Sequence, residues 1–343
     1  MRVAIDARKI TDFGIGTYIR GLLAGLAEIA DGDTYIVLAP AAAREMVPQA
    51  FEHIVVAAPN YSFRELLVVS RAIERARADV FHAPHYVVPF TRRPTVVTIH
   101  DLIHLHQPMR NRAAPIYARI MMRRAVRKSA RVLTVTAAVK AQISRELGCP
   151  TAKITVTPNG VDEAFRAEQP NRSPAHYYLF VGNDKPHKNV DRVVEAFSIV
   201  KASMSDASLV LVGAPFRRFG SRDGVITPGF VTTPELASLY RNSIALVQPS
   251  LEEGFGLPAL EAMSSGTAVI TSHDPALVEI TGGTALNVDG TSVREIAAAM
   301  QRLATDQDLR LDLGRRGIDR AHRFTWRECA RETRRVYRET RMS

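Results

Sequence analysis

Short runs of β-branched and aliphatic residues alternate with segments of helical periodicity from one end of the chain to the other. Such alternation is typical of βα units, in which helices join parallel strands and cover the faces of the sheet. Helices are predicted at residues 17–30, 114–128 and 138–146, among others. The first half contains seven predicted strands, at residues 3–6, 35–38, 53–57, 80–82, 95–100, 131–135 and 153–156. We therefore expect an α/β fold with a doubly wound sheet.

A second series of βα units follows, with six predicted strands at residues 177–182, 209–212, 225–227, 245–247, 268–270 and 286–288. The apolar periodicity stops over residues 166–175, which we interpret as a linker between a first domain, 1–165, and a second domain, 176–323. Residues 324–343 have apolar side chains at helical spacing and no following strand, so we expect a helix that packs back on the first domain. Ligands of doubly wound sheets bind at the carboxyl ends of the strands, and two such sheets are expected to face each other across a cleft.

The composition agrees with a soluble two-domain protein. The 343 residues suit two domains, and the hydrophobic fraction of 46% with 23% charged residues is typical of a globular chain. No apolar run approaches the roughly 20 residues that span a bilayer, and the first residues indicate a strand rather than a signal peptide. Cys149 and Cys329 lack metal-binding spacing, which favours a cytoplasmic location.

The formal net charge of +10 suggests a polyanionic partner, such as nucleic acid, an anionic membrane or phosphorylated substrates. Basic residues concentrate at 119–131 and 310–341, where interleaved aromatic residues are nearly absent, so a nucleic-acid partner is not expected. Two interpretations of the 119–131 region stay open. It forms either a peripheral contact with an anionic membrane or an ordinary amphipathic helix packed on the sheet.

The strongest chemical signal is a glycine-rich turn between a predicted strand and a helix that has Pro258 near its start. Free backbone N–H groups and the positive end of the helix dipole make such a turn a site for phosphate. Glu253 precedes the turn and Glu261 lies one turn into the helix, so both carboxylates are placed to accept hydrogen bonds from sugar diols. Alternatively, Glu261 only compensates the helix dipole.

This stretch resembles the Glu-x7-Glu signature of family 4 retaining glycosyltransferases, in its form with Gly-Phe-Gly-Leu-Pro between the glutamates. The resemblance implies a GT-B fold and metal-independent transfer of a hexose from a nucleotide diphosphate sugar, which acts as the donor substrate, without a cofactor. It also implies that Glu253 contacts the donor sugar and that Glu261 binds the ribose hydroxyls. The turn residues implied to contact the donor are Gly254, Phe255, Gly256 and Leu257.

Residues 181–189 are similar to the diphosphate-binding loop of the same family, with Lys188 at the position of its lysine. A lysine there would neutralise the charge that accumulates on a leaving nucleotide diphosphate. Many members have an arginine directly after the glycine or directly before the lysine, whereas this chain has Asn183 and His187. Either Lys185 supplies the missing charge, or the diphosphate is held more weakly and pH-dependently through His187.

Two motifs in the first half also resemble the family. Gly14 and Gly16 match a glycine loop that approaches the donor phosphates and the acceptor, although a Gly-x-Gly pair alone can be a tight turn. His100 and Asp101 match the active-site histidine motif. The resemblance implies that His100 hydrogen-bonds near the donor sugar and that Asp101 orients it or interacts with the acceptor.

In the second half, Phe230 and Val231 fall where the family holds the nucleobase through backbone groups. His104 and His106 resemble metal ligands, but no third ligand has suitable spacing, and the Asp-x-Asp motif of metal-dependent glycosyl transfer is absent. No metal site is therefore predicted.

The form of the diphosphate loop resembles members that use GDP-mannose, so mannosyl transfer is favoured and UDP-hexoses remain an alternative. The expected acceptor is a glycan or a lipid-linked glycan, which would place the protein in the cytoplasm, at the inner face of the membrane. Two other functions stay open: a nucleotide-sugar epimerase with the same twin domains, and a non-catalytic GT-B module that binds a carbohydrate or a partner.

Overall fold

The computed structural model describes residues 1–29, 32–57, 63–106, 114–213 and 215–342. The chain divides into two compact units. The first contains Met1–Gly160 and Thr325–Ser343, and the second contains Val161–Phe324. Residues 166–175, which we interpreted as a linker, belong to the second unit, where Ala167 donates a backbone hydrogen bond to Ser264.

The first unit is built on a seven-stranded sheet with the strand order β3-β2-β1-β4-β5-β6-β7, and all of its strand pairs are parallel. All seven strands that were predicted in this half are present, with ends that differ by at most two residues. The strands are β1 (Arg2–Asp6), β2 (Thr34–Ala39), β3 (Glu52–Val55), β4 (Val80–Ala83), β5 (Thr95–Thr98), β6 (Arg131–Thr134) and β7 (Ile154–Val156). The helices between them are α1 (Gly14–Glu28), α2 (Phe63–Ala76), α3 (Ile103–His106), α4 (Ala114–Lys128) and α5 (Ala137–Leu147).

Helix α1 begins at Gly14, earlier than predicted, so Gly14 and Gly16 lie in its first turn rather than in a loop before it. The amide of Gly16 donates to the carbonyl of Phe13 over 2.6 Å, which starts the turn. A β-carbon at position 16 would lie 2.6 Å from the carbonyl oxygen of Ile10. Close packing therefore requires glycine at this position, and the helix begins three residues before its predicted start at residue 17.

The second unit contains a six-stranded sheet with the order β10-β9-β8-β11-β12-β13, and its strand pairs are also all parallel. All six strands that were predicted here are present. The strands are β8 (Tyr177–Gly182), β9 (Ser208–Gly213), β10 (Val225–Gly229), β11 (Ala245–Gln248), β12 (Ala268–Ser272) and β13 (Leu286–Val288). The helices are α6 (Val190–Ser203), α7 (Thr233–Asn242), α8 (Leu257–Ser264), α9 (Pro275–Thr281), α10 (Val293–Thr305) and α11 (Gln307–Ala321).

The last helix, α12 (Trp326–Met342), returns to the first unit and packs on α1, which confirms the prediction from its apolar spacing. Two glycines of α1 allow this close approach. A β-carbon at Gly21 would lie 2.1 Å from the ring of Trp326, and one at Gly25 would lie 2.2 Å from its carbonyl oxygen. The backbone of α12 therefore lies directly against α1.

The central strands of both sheets are apolar and buried on both faces, as expected for parallel sheets covered by helices. The chain reverses its direction of strand addition once in each sheet, between β1 and β4 in the first and between β8 and β11 in the second. Two Rossmann-like sheets with α12 returning to the first unit confirm the predicted fold class. Ligands of such sheets bind at the carboxyl ends of the strands beside this reversal.

Candidate active site

In the second unit the two loops that carry the donor motifs leave adjacent strands. Residues 183–189 follow β8, and residues 249–256 follow its neighbour β11. The side chain of Asn189 joins the loops, because its amide donates to the carbonyls of Pro249 at 2.9 Å and Gly290 at 2.6 Å. Asn189 has a left-handed φ of 63°, a conformation that asparagine adopts more readily than most residues. These two hydrogen bonds hold the loop after β8 against the loops that contain Pro249 and Gly290.

Lys188 and Glu253 form an ion pair across these loops. The Nζ of Lys188 lies 2.7 Å from Oε1 and 2.9 Å from Oε2 of Glu253. The Nε2 of Gln248 donates a further hydrogen bond of 3.0 Å to Oε1. Glu253 is buried, with 7% of its side chain exposed, whereas 16% of the Lys188 side chain is exposed. Lys188 is therefore the more exposed partner of the pair.

Burial alone would raise the pKa of Glu253, but the charge and hydrogen bonds of Lys188 outweigh burial and hold this pKa below its ordinary value. Glu253 is thus a carboxylate at neutral pH. Its backbone amide also donates to Asp274 Oδ2 at 3.3 Å, and the other oxygen of Asp274 caps α9. Because of its burial, the pKa of Asp274 is raised to about 6.

The glycine turn from Gly254 to Gly256 leads directly into α8, which begins at Leu257. Gly256 has a φ of 97°, and a β-carbon there would lie 2.5 Å from the Leu277 side chain, so only glycine fits. Phe255 is buried and packs edge to face against Phe324 with ring centroids 6.1 Å apart. The turn therefore has a defined shape, and it presents the N-terminus of α8 at the carboxyl edge of the sheet.

Glu261 lies in the second turn of α8, where it is partly buried. The hydroxyl of Tyr240 donates to Glu261 Oε2 over 2.9 Å. Burial raises the pKa of Glu261 to about 7, and the negative charge of Asp162 acts in the same direction. Glu261 therefore changes its protonation state near neutral pH, which a role in helix-dipole compensation alone does not require.

The remaining predicted donor residues lie at three places in the second unit. Asn183 directly follows β8 and is partly buried, and His187 is buried in the short turn that carries Lys188. The carbonyl of His187 accepts from the amide of Leu251 at 2.7 Å, so this turn is also fixed to the glycine loop. Phe230 follows β10 with 63% of its surface exposed, and Val231 is partly buried beside it.

In the first unit, His100 lies two residues beyond the end of β5 and is partly buried. Its Nε2 lies 3.0 Å from the carbonyl of Pro84, which can only accept, so Nε2 carries the proton and Nδ1 has the lone pair in the neutral ring. Burial lowers the pKa of His100. The adjacent Asp101 accepts a hydrogen bond of 3.0 Å from the amide of Ile103, so it caps the short helix α3.

A buried chain of hydrogen bonds supports His100. The ring of Tyr18 packs on His100 edge to face with centroids 4.6 Å apart, and its hydroxyl lies 3.1 Å from Thr98 Oγ1. The same Thr98 oxygen lies 2.8 Å from Nε2 of His82, whose Nδ1 lies 2.7 Å from the hydroxyl of Tyr337 on α12. Because of burial, the pKa of His82 is lowered to about 3, so this ring stays neutral.

The strand reversal of the first sheet holds a charged cluster that sequence reasoning missed. Arg8 binds both oxygens of Asp6 at 2.8 and 2.6 Å, and Nε2 of His85 lies 3.5 Å from Asp6 Oδ2. Burial would raise the pKa of Asp6, but the positive charge of Arg8 holds it well below its usual range. The available signal was a run of polar residues directly after the first buried strand. Gln248, Tyr240 and Asp274 were missed as well.

The histidines considered as metal ligands have separate partners. His106 Nε2 lies 2.8 Å from Glu146 Oε2, and His104 Nδ1 lies 3.2 Å from the hydroxyl of Tyr86. Within the described ranges, three or more His, Cys, Asp or Glu side chains nowhere form a group suited to a metal ion. Among the same residues, each helix is too short or too polar to cross a bilayer.

Two family models match the chain in succession. The model described as Glycosyltransferase Family 4 matches residues 14–165, and the model described as Glycosyl transferases group 1 matches residues 161–320. Together they span both units. The chain belongs to the family 4 glycosyltransferases, and it has the GT-B fold of that family.

Curated relatives and a solved structure agree with this assignment. The chain is 27% identical over 287 residues to O-antigen chain mannosyltransferase B of Escherichia coli, covering 76% of this chain and 74% of the relative. It is 26% identical over 320 residues to O-antigen chain mannosyltransferase RfbU of Salmonella typhimurium, covering 84% and 87%. The structure of sucrose-phosphate synthase from Thermosynechococcus elongatus has a TM-score of 0.79 at 18% identity, covering 99% and 98%. The protein is therefore a glycosyltransferase.

Proposed function

We propose that the protein is a retaining, metal-independent hexosyltransferase that moves mannose from GDP-mannose to a glycan or lipid-linked acceptor. The observation that carries the proposal is the Lys188–Glu253 ion pair beside the glycine turn, at the strand reversal of the second sheet. A cation, a row of backbone amides and a helix N-terminus together form a site for a nucleotide diphosphate. In this proposal Glu253 accepts hydrogen bonds from the sugar hydroxyls, and Glu261 accepts them from the ribose.

In this proposal the bond between the anomeric carbon and the phosphate oxygen breaks first. Lys188 and the amides of Phe255 to Leu257 stabilise the charge that develops on the departing diphosphate. The acceptor hydroxyl attacks from the same face, and its proton passes to the departing phosphate oxygen. The resemblance of its motif to the active-site histidine of the family supports a role of the neutral His100 ring in this step, with the lone pair of Nδ1 as a hydrogen-bond acceptor. The configuration at the anomeric carbon is thereby retained.

The sugar and the base are supported by different observations. The relatives described above are mannosyltransferases by name, which supports mannose. The Pro186-His187-Lys188-Asn189 sequence supports a GDP-sugar through its resemblance to members that use GDP-mannose. A UDP-hexose is the alternative donor, because backbone contacts near Phe230 would leave little trace of the base in the side chains.

A thermal-shift series with GDP, UDP, ADP and TDP tests the donor site. Stabilisation grows with the logarithm of ligand concentration over Kd, so GDP should raise Tm most. Nucleotide diphosphate sugars of the preferred base are then incubated with lipid-linked glycans with and without EDTA, and NMR gives the anomeric configuration of the product. A larger shift with UDP would replace GDP-mannose by a UDP-hexose, and an EDTA-sensitive rate would contradict metal independence.

The same incubations separate the rival functions. An epimerase would convert the sugar of the donor without any acceptor, whereas a non-catalytic module would bind the nucleotide and leave the donor intact. A transferase consumes the donor only when the acceptor is present. The absence of a response to all four nucleotides would overturn the proposed donor site.

We also propose that α4 is the peripheral contact with an anionic membrane. Ile116 and Ile120 are 64% and 60% exposed on this helix, and Tyr117 is 43% exposed. Arg123 and Arg127 continue the exposed face toward the C-terminal end. An exposed apolar segment flanked by cations is typical of a helix that lies in the membrane interface. Ile116→Ser/Ile120→Ser should lose cosedimentation with phosphatidylglycerol vesicles, and unchanged cosedimentation would contradict this contact.

A further inference from the structure

A cavity of about 550 Å³ opens in the first unit between α2, the segment that joins β4 to β5, and α4. Its walls include Thr95, which is the first residue of β5. His100 follows the other end of that strand. At ~3.3 Å per residue, it lies about 16 Å from Thr95 along the strand direction. The cavity therefore lies at the amino edge of the sheet, whereas His100 and the Asp6–Arg8 cluster lie at the carboxyl edge.

The cavity has an excess of positive charge, because three cations, Arg92, Arg124 and Lys128, line it with one carboxylate, Glu74. Glu74 already binds the guanidinium of Arg93, which lies 3.1 Å away. Within the described part of the chain, the three lining cations form no ion pair with a carboxylate. The wall of the cavity thus presents cationic groups that an anion would neutralise.

Arg124 is held in a defined position. One nitrogen of its guanidinium donates to the carbonyl of Val88, and its central carbon lies 4.7 Å from the centroid of the Phe90 ring. Arginine fixed in this way keeps further donors for an oxyanion and loses little conformational entropy on binding it. Partial burial lowers the pKa of Arg124, which is the direction expected of a cation that lacks a compensating charge.

The cavity also has an apolar wall. Val88 and Pro89 contribute to it, and Phe90 is 57% exposed although it stacks on Arg124. A free inorganic anion would make no use of this wall, whereas a phosphate ester with an organic part would cover it. The combination of an oriented guanidinium, two exposed cations and an exposed aromatic ring is suited to such an ester.

We infer that this cavity is a second binding site, separate from the donor site, for the phosphate group of a glycerophosphate-like ester. Two sources supply that chemistry: the headgroup of an anionic phospholipid and a soluble organic phosphate. The exposed Ile116 and Ile120 lie on the same helix as Arg124 and Lys128, which favours the lipid. Only this choice of source rests on the proposed membrane contact, and binding of the phosphate itself does not depend on glycosyl transfer.

The full-length protein is tested with two probes. Glycerol 3-phosphate is titrated by calorimetry, and vesicles of phosphatidylglycerol in phosphatidylcholine are titrated by cosedimentation. Arg92→Ala and Lys128→Ala, both on exposed side chains, should each weaken one or both affinities roughly fivefold. Arg124→Gln should weaken them further, and GDP binding should be unchanged in all three variants. Arg44→Ala, an exposed cation of the same unit between β2 and β3, is the matched control and should have no effect.

The two probes identify the source. Saturable binding of glycerol 3-phosphate that the variants weaken supports a soluble ligand, whereas a loss seen only with vesicles supports the lipid headgroup. Equal losses in Arg44→Ala would show that only overall charge matters, and would overturn the inference. Lower Tm without any loss of binding would also overturn it, because the cations would then only stabilise the C-terminal end of α4.

Discussion

The amine of Lys188 binds both carboxylate oxygens of Glu253, at 2.7 and 2.9 Å, although 65 residues separate the two in the chain. Glu253 is the more buried partner, and its two oxygens hold the amine of Lys188 in a fixed position. A lysine that is already oriented and charged loses little freedom when a diphosphate arrives. The pair therefore links the two donor motifs into one preorganised site.

The first prediction concerns this amine. Lys188→Ala should lower kcat by about 10²–10³-fold, the usual cost of removing one charge-stabilising group from a transition state. It should also raise the pKa of Glu253, because burial is then no longer opposed by the lysine charge. Steady-state kinetics with the preferred donor measure the first effect. Unchanged turnover would remove Lys188 from the mechanism.

Two further variants show whether the ion pair acts as a unit. In a double-mutant cycle, the activation free energy lost in Lys188→Ala/Glu253→Gln should be smaller than the sum of the losses in the two single variants. Either single change already breaks the pair. Lys185→Ala removes an exposed cation three residues away on the same loop, so it tests whether Lys185 supplies charge to the diphosphate. A loss of kcat equal to that of Lys188→Ala would mean that the loop acts through its total charge.

The second prediction concerns pH. Burial raises the pKa of Glu261 from an ordinary 4.5 to about 7, so the folded protein keeps a proton that the unfolded chain releases between these values. The contribution of Glu261 to the free energy of unfolding therefore falls as pH rises from about 5 to 7. Glu261→Gln should match the wild type at pH 5 and exceed its stability at pH 8 by about 1–2 kcal/mol, a figure discounted for the partial exposure of the side chain. Urea unfolding at both pH values measures the difference.

The affinity for the nucleotide should change with pH in the opposite direction to the free energy of unfolding. A carboxylate accepts hydrogen bonds from the ribose better than a carboxylic acid does, so the affinity for the nucleotide should rise between pH 6 and 8 in the wild type and stay flat in Glu261→Gln. Tyr240→Phe removes a hydrogen bond that lowers the pKa of Glu261, so this variant should shift the midpoint to higher pH. A pH-independent affinity in the wild type would contradict the role of Glu261.

The strand pattern and the glycine turn could be predicted because both are local. Thirteen short apolar runs correspond to the thirteen strands, and a buried parallel strand needs only such a run and flanking turns. The positions of Glu253, Gly256 and Glu261 around the start of α8 follow from the strand–turn–helix order alone. The start of α1 was misplaced because Gly14 and Gly16 suggest a turn, whereas both lie in the first turn of the helix and Gly16 allows its close contact with Ile10.

Contacts between distant segments could not be predicted from one sequence. Asn189 binds carbonyls on two other loops, and His82 joins Tyr337 across 255 residues. These partners depend on which strands become neighbours, and periodicity does not encode strand order. Burial of Asp6 and Arg8 likewise depends on the coverage of the sheet edge by the rest of the unit. The functional roles of the predicted site residues remain predictions.

The third prediction tests the shape of the glycine turn. Gly256→Ala should destabilise the protein by about 2–4 kcal/mol and weaken nucleotide binding, because φ is 97° and the new methyl group would lie 2.5 Å from Leu277. Gly283→Ala is the matched control, since Gly283 has a φ of 82° but open space around it. Gly283→Ala should lower the free energy of unfolding by only about 1–2 kcal/mol, which is the strain of a residue in the left-handed conformation. Equal losses in urea unfolding would show that contact with Leu277 contributes nothing.

The fourth prediction concerns the hydrogen-bond chain behind His100. Thr98→Val keeps the shape of a fully buried side chain but removes the hydrogen bonds of Thr98 with the Tyr18 hydroxyl and with Nε2 of His82, which should lower the free energy of unfolding by about 2–3 kcal/mol. Because the ring of Tyr18 packs on His100, we expect kcat to fall severalfold while GDP binding stays unchanged. Kinetics, calorimetry and urea unfolding measure the three quantities.

The matched control for this change is Thr340→Val in α12, because the buried Thr340 hydroxyl lacks a hydrogen-bond partner among the described residues. Removing that hydroxyl should leave the stability unchanged or slightly higher, since no bond is lost and a buried polar group is removed. If Thr98→Val behaved like this control in both stability and kcat, the chain from Tyr337 to Tyr18 would not support His100. A loss of stability with normal kcat would limit the role of Thr98 to folding, because the orientation of His100 would then be set by the Pro84 carbonyl alone.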